Sequence, residues 1–157
     1  MKIPLSKGKF ALVDDDAPES ITKHKWCFNG RYAVRFITNK ENGKRKVIKM
    51  HREIMEASKG IQVDHINQNK LDNRKSNLRF ATPKDNARNR GVRQTSYTGF
   101  KGVTVKKNRF VARITANGKN MFIGSYKTPE EAALAYNQKA VELFGEFAFV
   151  NQVGEFY

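Results

Sequence analysis

Asp64, His65, Asn77 and Asn86 have residue types suited to phosphate chemistry assisted by a metal ion. A carboxylate (Asp64) and an amide oxygen (Asn86) are hard donors that suit Mg²⁺, an ion that keeps positions for water and phosphate oxygens. His65, next to Asp64, points to the opposite face if the pair lies on a strand, because side chains there alternate. A neutral imidazole in that place can accept a proton from a water attacking phosphorus. Asn77 reads as structural, tying the intervening loop and orienting His65 through its amide. His51 and Arg52, in MHREIM, are accessory candidates for lining the site or touching phosphate. The plain alternative is an Asn- and Asp-rich polar loop.

The elements needed to hold these residues are legible. IQVDHI and NLRFA read as strands, and Thr82-Pro83-Lys84-Asp85 carries a helix-start signature that places Asn86 in a first turn. The result is a compact ββα unit over residues 61–90. Before it, residues 1–60 form a β-rich extension. GKFALVD, RYAVRFI and KVIKM read as strands there, Asn42-Gly43 as a tight turn, and HREIMEA as a short helix. Residues 91–98, GVRQTSYT, read as a linker, 99–151 as a second unit and 152–157 as a tail. In the second unit KGVTVK, RFVARIT and KNMFIGSY are three strands, with Asn117-Gly118 as a turn. A helix follows, with Thr128 as cap, Pro129 in its first turn and Glu131 completing a capping box, and it stops at Gly145. Ala133, Tyr136, Ala140 and Phe144 share one face. The fold class is therefore α+β.

Composition restricts the partners. Thirty Lys and Arg against fifteen Asp and Glu give a net charge of +15, which favours a polyanion through counterion release. Eleven Phe, five Tyr and one Trp supply anchors for two or three small cores. Cys27 is the single cysteine, which excludes an intrachain disulfide and a cysteine-based structural zinc site, and Trp-Cys-Phe reads as a buried thiol. No apolar run approaches eighteen residues and MKIPLSKGKF has no signal-peptide h-region, so no membrane association and a cytoplasmic location are expected.

Charge is divided within the second unit. Residues 97–127 contain seven Lys and Arg and no acid, whereas residues 128–157 contain one Lys and five Glu. A polyanion should therefore meet the sheet. Alternation places Phe110, Ala112, Ile114, Val103, Val105, Met121 and Ile123 against the helix. It places Arg109, Arg113, Thr115, Thr104, Lys106, Asn120 and Phe122 on the outer face. Phe122 is an aromatic on a polar face, suited either to sugar and thymine methyl contact or to covering Arg and Lys stems.

VDHINQNKLDNRKSNLRFATPKDNARN resembles the HNH, or His-Me finger, endonuclease motif of phage and intron homing enzymes, with signature positions at His65, Asn77 and Asn86. The resemblance implies a ββα-metal fold and hydrolysis of DNA phosphodiesters. It makes Asp64 and Asn86 ligands of one divalent ion, Mg²⁺ with Mn²⁺ as a substitute, and His65 the general base. GFKGVTVKKNRFVARITANGKNMFIGSYKTPEEAALAYNQKAVELFGEFAFVN resembles an AP2 DNA-binding domain. That resemblance implies a three-stranded antiparallel sheet in the major groove of double-stranded DNA, backed by one helix. Its contact positions fall on Lys101, Thr104, Lys106, Arg113, Thr115, Asn120 and Phe122. Plant relatives have Arg where this chain has Thr104, Thr115 and Asn120, so base preference does not transfer. The combined expectation is a homing-type nuclease, monomer or homodimer, acting in the host-cell cytoplasm if phage-encoded. The competing expectation is a non-catalytic DNA-binding regulator with the ββα unit as scaffold.

Overall fold

The computed structural model describes residues 1–93 and 95–154. The expected linker (91–98) and tail (152–157) thus lie partly outside the described residues. Contacts divide the chain into two units, residues 1–83 and 84–157. Among the described residues no helix is long and apolar enough to cross a membrane.

The first unit is assembled from small sheets. β1 (Lys2–Pro4) pairs antiparallel with β2 (Phe10–Leu12). A short helix α1 (Glu19–Thr22) precedes a three-stranded antiparallel sheet of β3 (Cys27–Phe28), β4 (Ala33–Thr38) and β5 (Arg45–Lys49), in the order β3-β4-β5. α2 (Met50–Ile54) follows without a break, and β6 (Gln62–His65) pairs antiparallel with β7 (Leu78–Ala81). One core serves all of these pieces: Ile3, Leu5, Ala11, Val13, Ile21, Trp26, Ala33, Met50, Ile54 and Leu78 are buried together. Trp26 is anchored at both ends of its chemistry. Its indole N–H donates to the Ile21 carbonyl at 2.8 Å, and the Arg35 guanidinium lies 5.6 Å from its ring while forming a two-point ion pair with Glu53.

Several local expectations are corrected here. β1, α1 and β3 carry too few residues to show periodicity in the sequence. Cys27 is half-buried rather than buried. Asn42-Gly43 does not form a two-residue turn, since the strands end at Thr38 and Arg45. Instead Asn39 N donates to Lys44 O and Gly43 N to Asn39 O, with Gly43 at φ 68°. That closes a wider loop.

The second unit opens with α3 (Pro83–Arg88), which begins one residue before the division and carries Asn86. β8 (Val103–Lys106), β9 (Arg109–Ala116) and β10 (Lys119–Tyr126) form an antiparallel sheet with β9 central. Asn117 (φ 50°) and Gly118 (φ 76°) turn β9 into β10, with Ala116 opposite Lys119. Both turn residues have positive φ, as the twist of a two-residue hairpin requires. α4 (Pro129–Phe144) packs on the sheet and has the complete capping box: Glu131 N donates to Thr128 Oγ1, and Thr128 N to the Glu131 carboxylate. Its Ala132, Ala133, Tyr136 and Ala140 are buried with Val103, Ala112 and Ile114. Small alanines let the helix approach closely, and Gly102 completes the fit. A Cβ on Gly102 would lie 2.1 Å from the Tyr136 ring.

Alternation fails at two places in this sheet. Val105 is exposed instead of packing on the helix, and Val111 is buried on the outer side. β8 is an edge strand ending at Lys106, so Val105 lies near the rim beyond the reach of α4. A β-bulge shifts the register between Phe122, opposite Arg113, and Gly124, opposite Ala112.

Asn151 closes the unit. Its backbone N–H donates to Asn137 Oδ1 at 2.7 Å, its carbonyl accepts from Asn137 Nδ2, and its amide bonds both the N–H and the carbonyl of Lys101. It is 3% exposed. Asn151→Ala removes two of these bonds and leaves buried backbone groups of Lys101 unpaired, a cost of about 2–4 kcal/mol. A thermal melt of the full chain should show a clear fall in Tm.

Candidate active site

The site residues of the first unit are held by the β6–β7 ladder and by the connection between its strands. Asp64 stands opposite Arg79 and His65 opposite Leu78, so the two neighbours take opposite faces, as expected from alternation. Asp64 is buried and its Oδ2 receives Arg79 Nη2 at 2.9 Å. His65, 1% exposed, joins the side that carries the core.

Around His65 lies an aromatic cluster. The His51 ring is 5.0 Å away, edge-on, and the Tyr32 ring is 6.2 Å away. Tyr32 and His51 are themselves 5.0 Å apart. Burial pushes the pKa of His65 down to about 4, against a partly opposing hydrogen bond to the Asn73 amide oxygen. Burial, with the nearby His65 and Lys49, pushes His51 down to about 3. Both rings are therefore neutral at pH 7. Among the described residues His51 Nδ1 is buried without a hydrogen-bond partner.

The orienting residue of His65 is Asn73, which corrects the expectation for Asn77. His65 Nε2 lies 3.2 Å from Asn73 Oδ1. Asn73 Nδ2 donates to the Leu71 carbonyl, which fixes the amide and leaves Oδ1 as an acceptor. A proton on Nε2 would complete this hydrogen bond to the Asn73 carbonyl oxygen. Asn77 performs the other half of its expected role. Its Oδ1 accepts from Asn67 N at 3.0 Å and its Nδ2 donates to Asp72 O at 2.8 Å, tying the loop across its width.

The extension supports that loop directly. Leu12 N donates to Leu71 O and Asn73 N to Leu12 O, so the edge of β2 holds the segment that carries Asn73. Asp14 accepts from Lys75 N at 2.7 Å. Asp72, buried, receives both Arg74 nitrogens and Asn67 Nδ2, and the Arg74 hydrogen bond leads in holding its carboxyl below the usual range.

Of the accessory pair, His51 belongs to the site cluster and Arg52 does not. Arg52 donates to the carbonyls of Ala57, Ser58 and Ile61, fastening the turn after α2. The sequence reading missed Asn73, Tyr32 and Lys70. Lys70 is half-buried, and burial lowers its pKa while the Asp64 carboxylate raises it. Its charge is felt by both His51 and His65. NKLDN spacing alone held no signal that separates Asn73 from the other Asn residues.

Asn86 lies on α3 of the second unit. Of the expected sheet contacts, Thr104, Lys106, Arg109, Arg113, Thr115, Asn120 and Phe122 are all exposed. Arg113 lies 5.7 Å from the Phe122 ring and donates to Asn120 Oδ1, while Asn120 Nδ2 donates to Thr115 Oγ1. Lys101 does not join this face. Its ammonium donates to the carbonyls of Arg88 and Arg90 and lies 5.2 Å from the Phe149 ring, and burial lowers its pKa to about 8.

Residues 49–88 match the family model described as HNH endonuclease. Over 155 residues the chain is 37% identical to an "Uncharacterized HNH endonuclease" of Acanthamoeba polyphaga mimivirus, covering 94% of this chain and 77% of that one. The chain belongs to the HNH endonuclease family. It is also 34% identical over 110 residues to "Protein 3.8" of Escherichia phage T7, covering 66% of this chain and 90% of the phage protein. Membership makes the protein a nuclease, and the matched segment contains His51, Asp64, His65, Asn73, Asn77 and Asn86.

The two buried neutral histidines make this HNH unit acid-sensitive. Their folded pKa values lie below the unfolded value near 6.5, so the unfolded chain binds more protons as pH falls from 6.5 towards 4. Stability is present above pH 6.5 and is lost through that window. Between pH 7 and 5 His51 alone contributes a loss of about 1–2 kcal/mol. Metal-free melts should show Tm falling with pH over this range, and His51→Phe should flatten the slope.

Proposed function

We propose that the protein is a metal-dependent DNA endonuclease of the homing type, with His65 as general base and a separate sheet that selects the target. The observation that carries this reading is the neutral His65, held by Asn73 through Nε2, one residue from the buried carboxylate of Asp64.

The donor set fits a hard divalent ion. Among the described residues no three His, Cys, Asp or Glu side chains are placed to share a metal. An ion of the Mg²⁺ type needs few protein ligands and retains water and phosphate oxygens. Asp64 supplies a carboxylate, and the family resemblance supplies Asn86 as the second oxygen donor. Mn²⁺ has the same preference for oxygen and can substitute. When bound, the ion polarises the phosphate and stabilises the departing oxygen.

The chain's own residues do the rest. His65 Nδ1 accepts the proton of the attacking water, because Asn73 keeps the other nitrogen protonated. The Lys70 ammonium adds positive charge where the phosphate must sit. Asn77 keeps the loop closed so that Asn73 stays in place. One such site per chain cuts one strand at a time, so a double-strand cut requires a dimer or a second visit.

Target selection is assigned to the exposed face of the β8–β10 sheet, read as an AP2-like module in the major groove. Arg109, Arg113, Lys106, Thr104, Thr115 and Asn120 supply donors and acceptors, and Phe122 an apolar contact. The Arg113–Phe122 stacking supports a rigid presentation of the guanidinium.

Supercoiled-plasmid nicking tests the reading. Wild type should nick in Mg²⁺ or Mn²⁺ and not in chelator, on DNA that includes the flanks of its own gene. His65→Ala should lose nicking by at least about 10²-fold while retaining DNA binding. Plasmid left intact with every divalent ion would favour the regulator reading. Asn73→Ala should reduce kcat by about 10- to 100-fold, the scale of partners that fix a histidine's orientation. Its KM should change little. An equal loss in DNA affinity would assign Asn73 to the scaffold alone.

A further inference from the structure

The β4–β5 hairpin has a task that packing does not explain. At its root Val34 is buried opposite an exposed Lys49, the next pair, Arg35–Ile48, is half-buried, and from Phe36–Val47 outward the pairs are open to solvent. Phe36 and Val47 face each other across the ladder, each about half exposed at 51% and 50%. A cross-strand aromatic–aliphatic pair normally contributes to a core. Here it sits on a free ribbon.

Charge identifies the partner. Lys40, Lys44, Arg45 and Lys46 crowd the outer end and all are exposed, and Glu41 is the single acid between residues 31 and 49. Among the described residues these four cations form no ion pair. Arg35, nearer the root, is neutralised by Glu53, so the uncompensated charge lies towards the tip. An apolar pair ringed by free cations fits a polyanion with apolar edges, which duplex DNA has in its sugars and thymine methyls.

Position strengthens the argument. Tyr32, immediately before β4, contacts the rings of His51 and His65, and Lys49 at the end of β5 lies 5.2 Å from the Tyr32 ring. The ribbon therefore springs from the wall of the histidine cluster. Four residues at about 3.3 Å each carry it roughly 13 Å from its root at Val34–Lys49 to Thr38–Arg45. DNA seated at His65 would present its flanking groove at that reach, and a two-stranded ribbon fits a major groove about 12 Å wide.

We infer that the β4–β5 hairpin is a DNA-contacting ribbon that enters the groove beside the cleavage site, with Lys44, Arg45 and Lys46 on phosphates and Phe36 and Val47 on the groove wall. The inference rests on the DNA endonuclease reading. It gives the extension a substrate-holding role in addition to its support of the loop.

The test uses the full chain in chelator, so that no cleavage is needed. Affinity for a 30-base-pair duplex of about that length is read by fluorescence anisotropy across a salt series. The variant Lys44→Ala/Arg45→Ala/Lys46→Ala should bind at least about tenfold more weakly at 0.1 M salt. Its slope of log K against log salt should be shallower by about 2–3, close to 0.9 for each lost phosphate contact. Phe36→Ser/Val47→Thr should weaken binding with the slope unchanged. Circular dichroism melts confirm that each variant folds. Wild-type binding with the triple variant's affinity and slope unaltered would overturn the ribbon and leave the nuclease reading intact. Failure of wild type to bind any duplex would instead sink the DNA reading itself. If Phe36→Ser/Val47→Thr dissolves a dimer and leaves DNA affinity unchanged, the surface is a contact between copies and the inference is wrong.

Discussion

The connection between His65 and Asn77 is mostly irregular, with one turn of 3-10 helix at Lys75–Asn77 and a single bridge to β2, so part of its backbone needs other partners. Side-chain amides supply them. Asn67 Oδ1 accepts from Asn69 N, Asn69 Oδ1 from Leu71 N, and Asn77 Oδ1 from Asn67 N. Each of these replaces a ladder bond that a polar loop would otherwise leave to water. The density of Asn and Asp in the segment is thus a structural requirement. Asn73 departs from that pattern, since its amide oxygen faces the His65 ring rather than the backbone. The orientation of His65 therefore depends on the folding of the loop. Because β2 grips the loop through Leu12, it also depends on residues more than fifty positions earlier.

That dependence explains which parts of the site were legible. Asp64 and His65 were readable because a strand fixes alternation, and the pairing with Arg79 and Leu78 follows from it. The α4 capping box and the Asn117-Gly118 turn were readable because both are local, set by a few adjacent dihedrals. Asn73 was not, because its partner is eight residues away through irregular backbone. Lys101 was misplaced for a related reason. The AP2 resemblance put it among the DNA contacts, but carbonyls at the end of α3 and just beyond it hold its ammonium. β1 and β3, two or three residues long, have no period to detect, and Val105 shows that a rim strand does not obey the rule its centre obeys.

Positive charge is spent differently in the two units. In the first, Arg35, Arg74 and Arg79 are each bound to a carboxylate, so they build the scaffold and add little external field. The hairpin keeps a dense group of cations outside such pairs, Lys40, Lys44, Arg45 and Lys46. In the second, the acids are concentrated in and after α4, and the sheet has none. Net charge alone therefore overstates how much of the surface is available to a polyanion, since part of it is bound in internal ion pairs.

A buried neutral histidine is an expensive arrangement, since the chain gives up stability as pH falls towards the folded pKa. The aromatic surroundings of His65 show what is gained. Tyr32 and His51 pack against its sides, and Asn73 bonds its Nε2. The ring is thereby kept neutral at pH 7 and oriented, the two properties the proposed base requires. A more exposed histidine would stay closer to its ordinary pKa and turn freely between two tautomers. The same enclosure leaves His51 Nδ1 buried without a partner among the described residues, a local cost of a cluster arranged around its neighbour's chemistry.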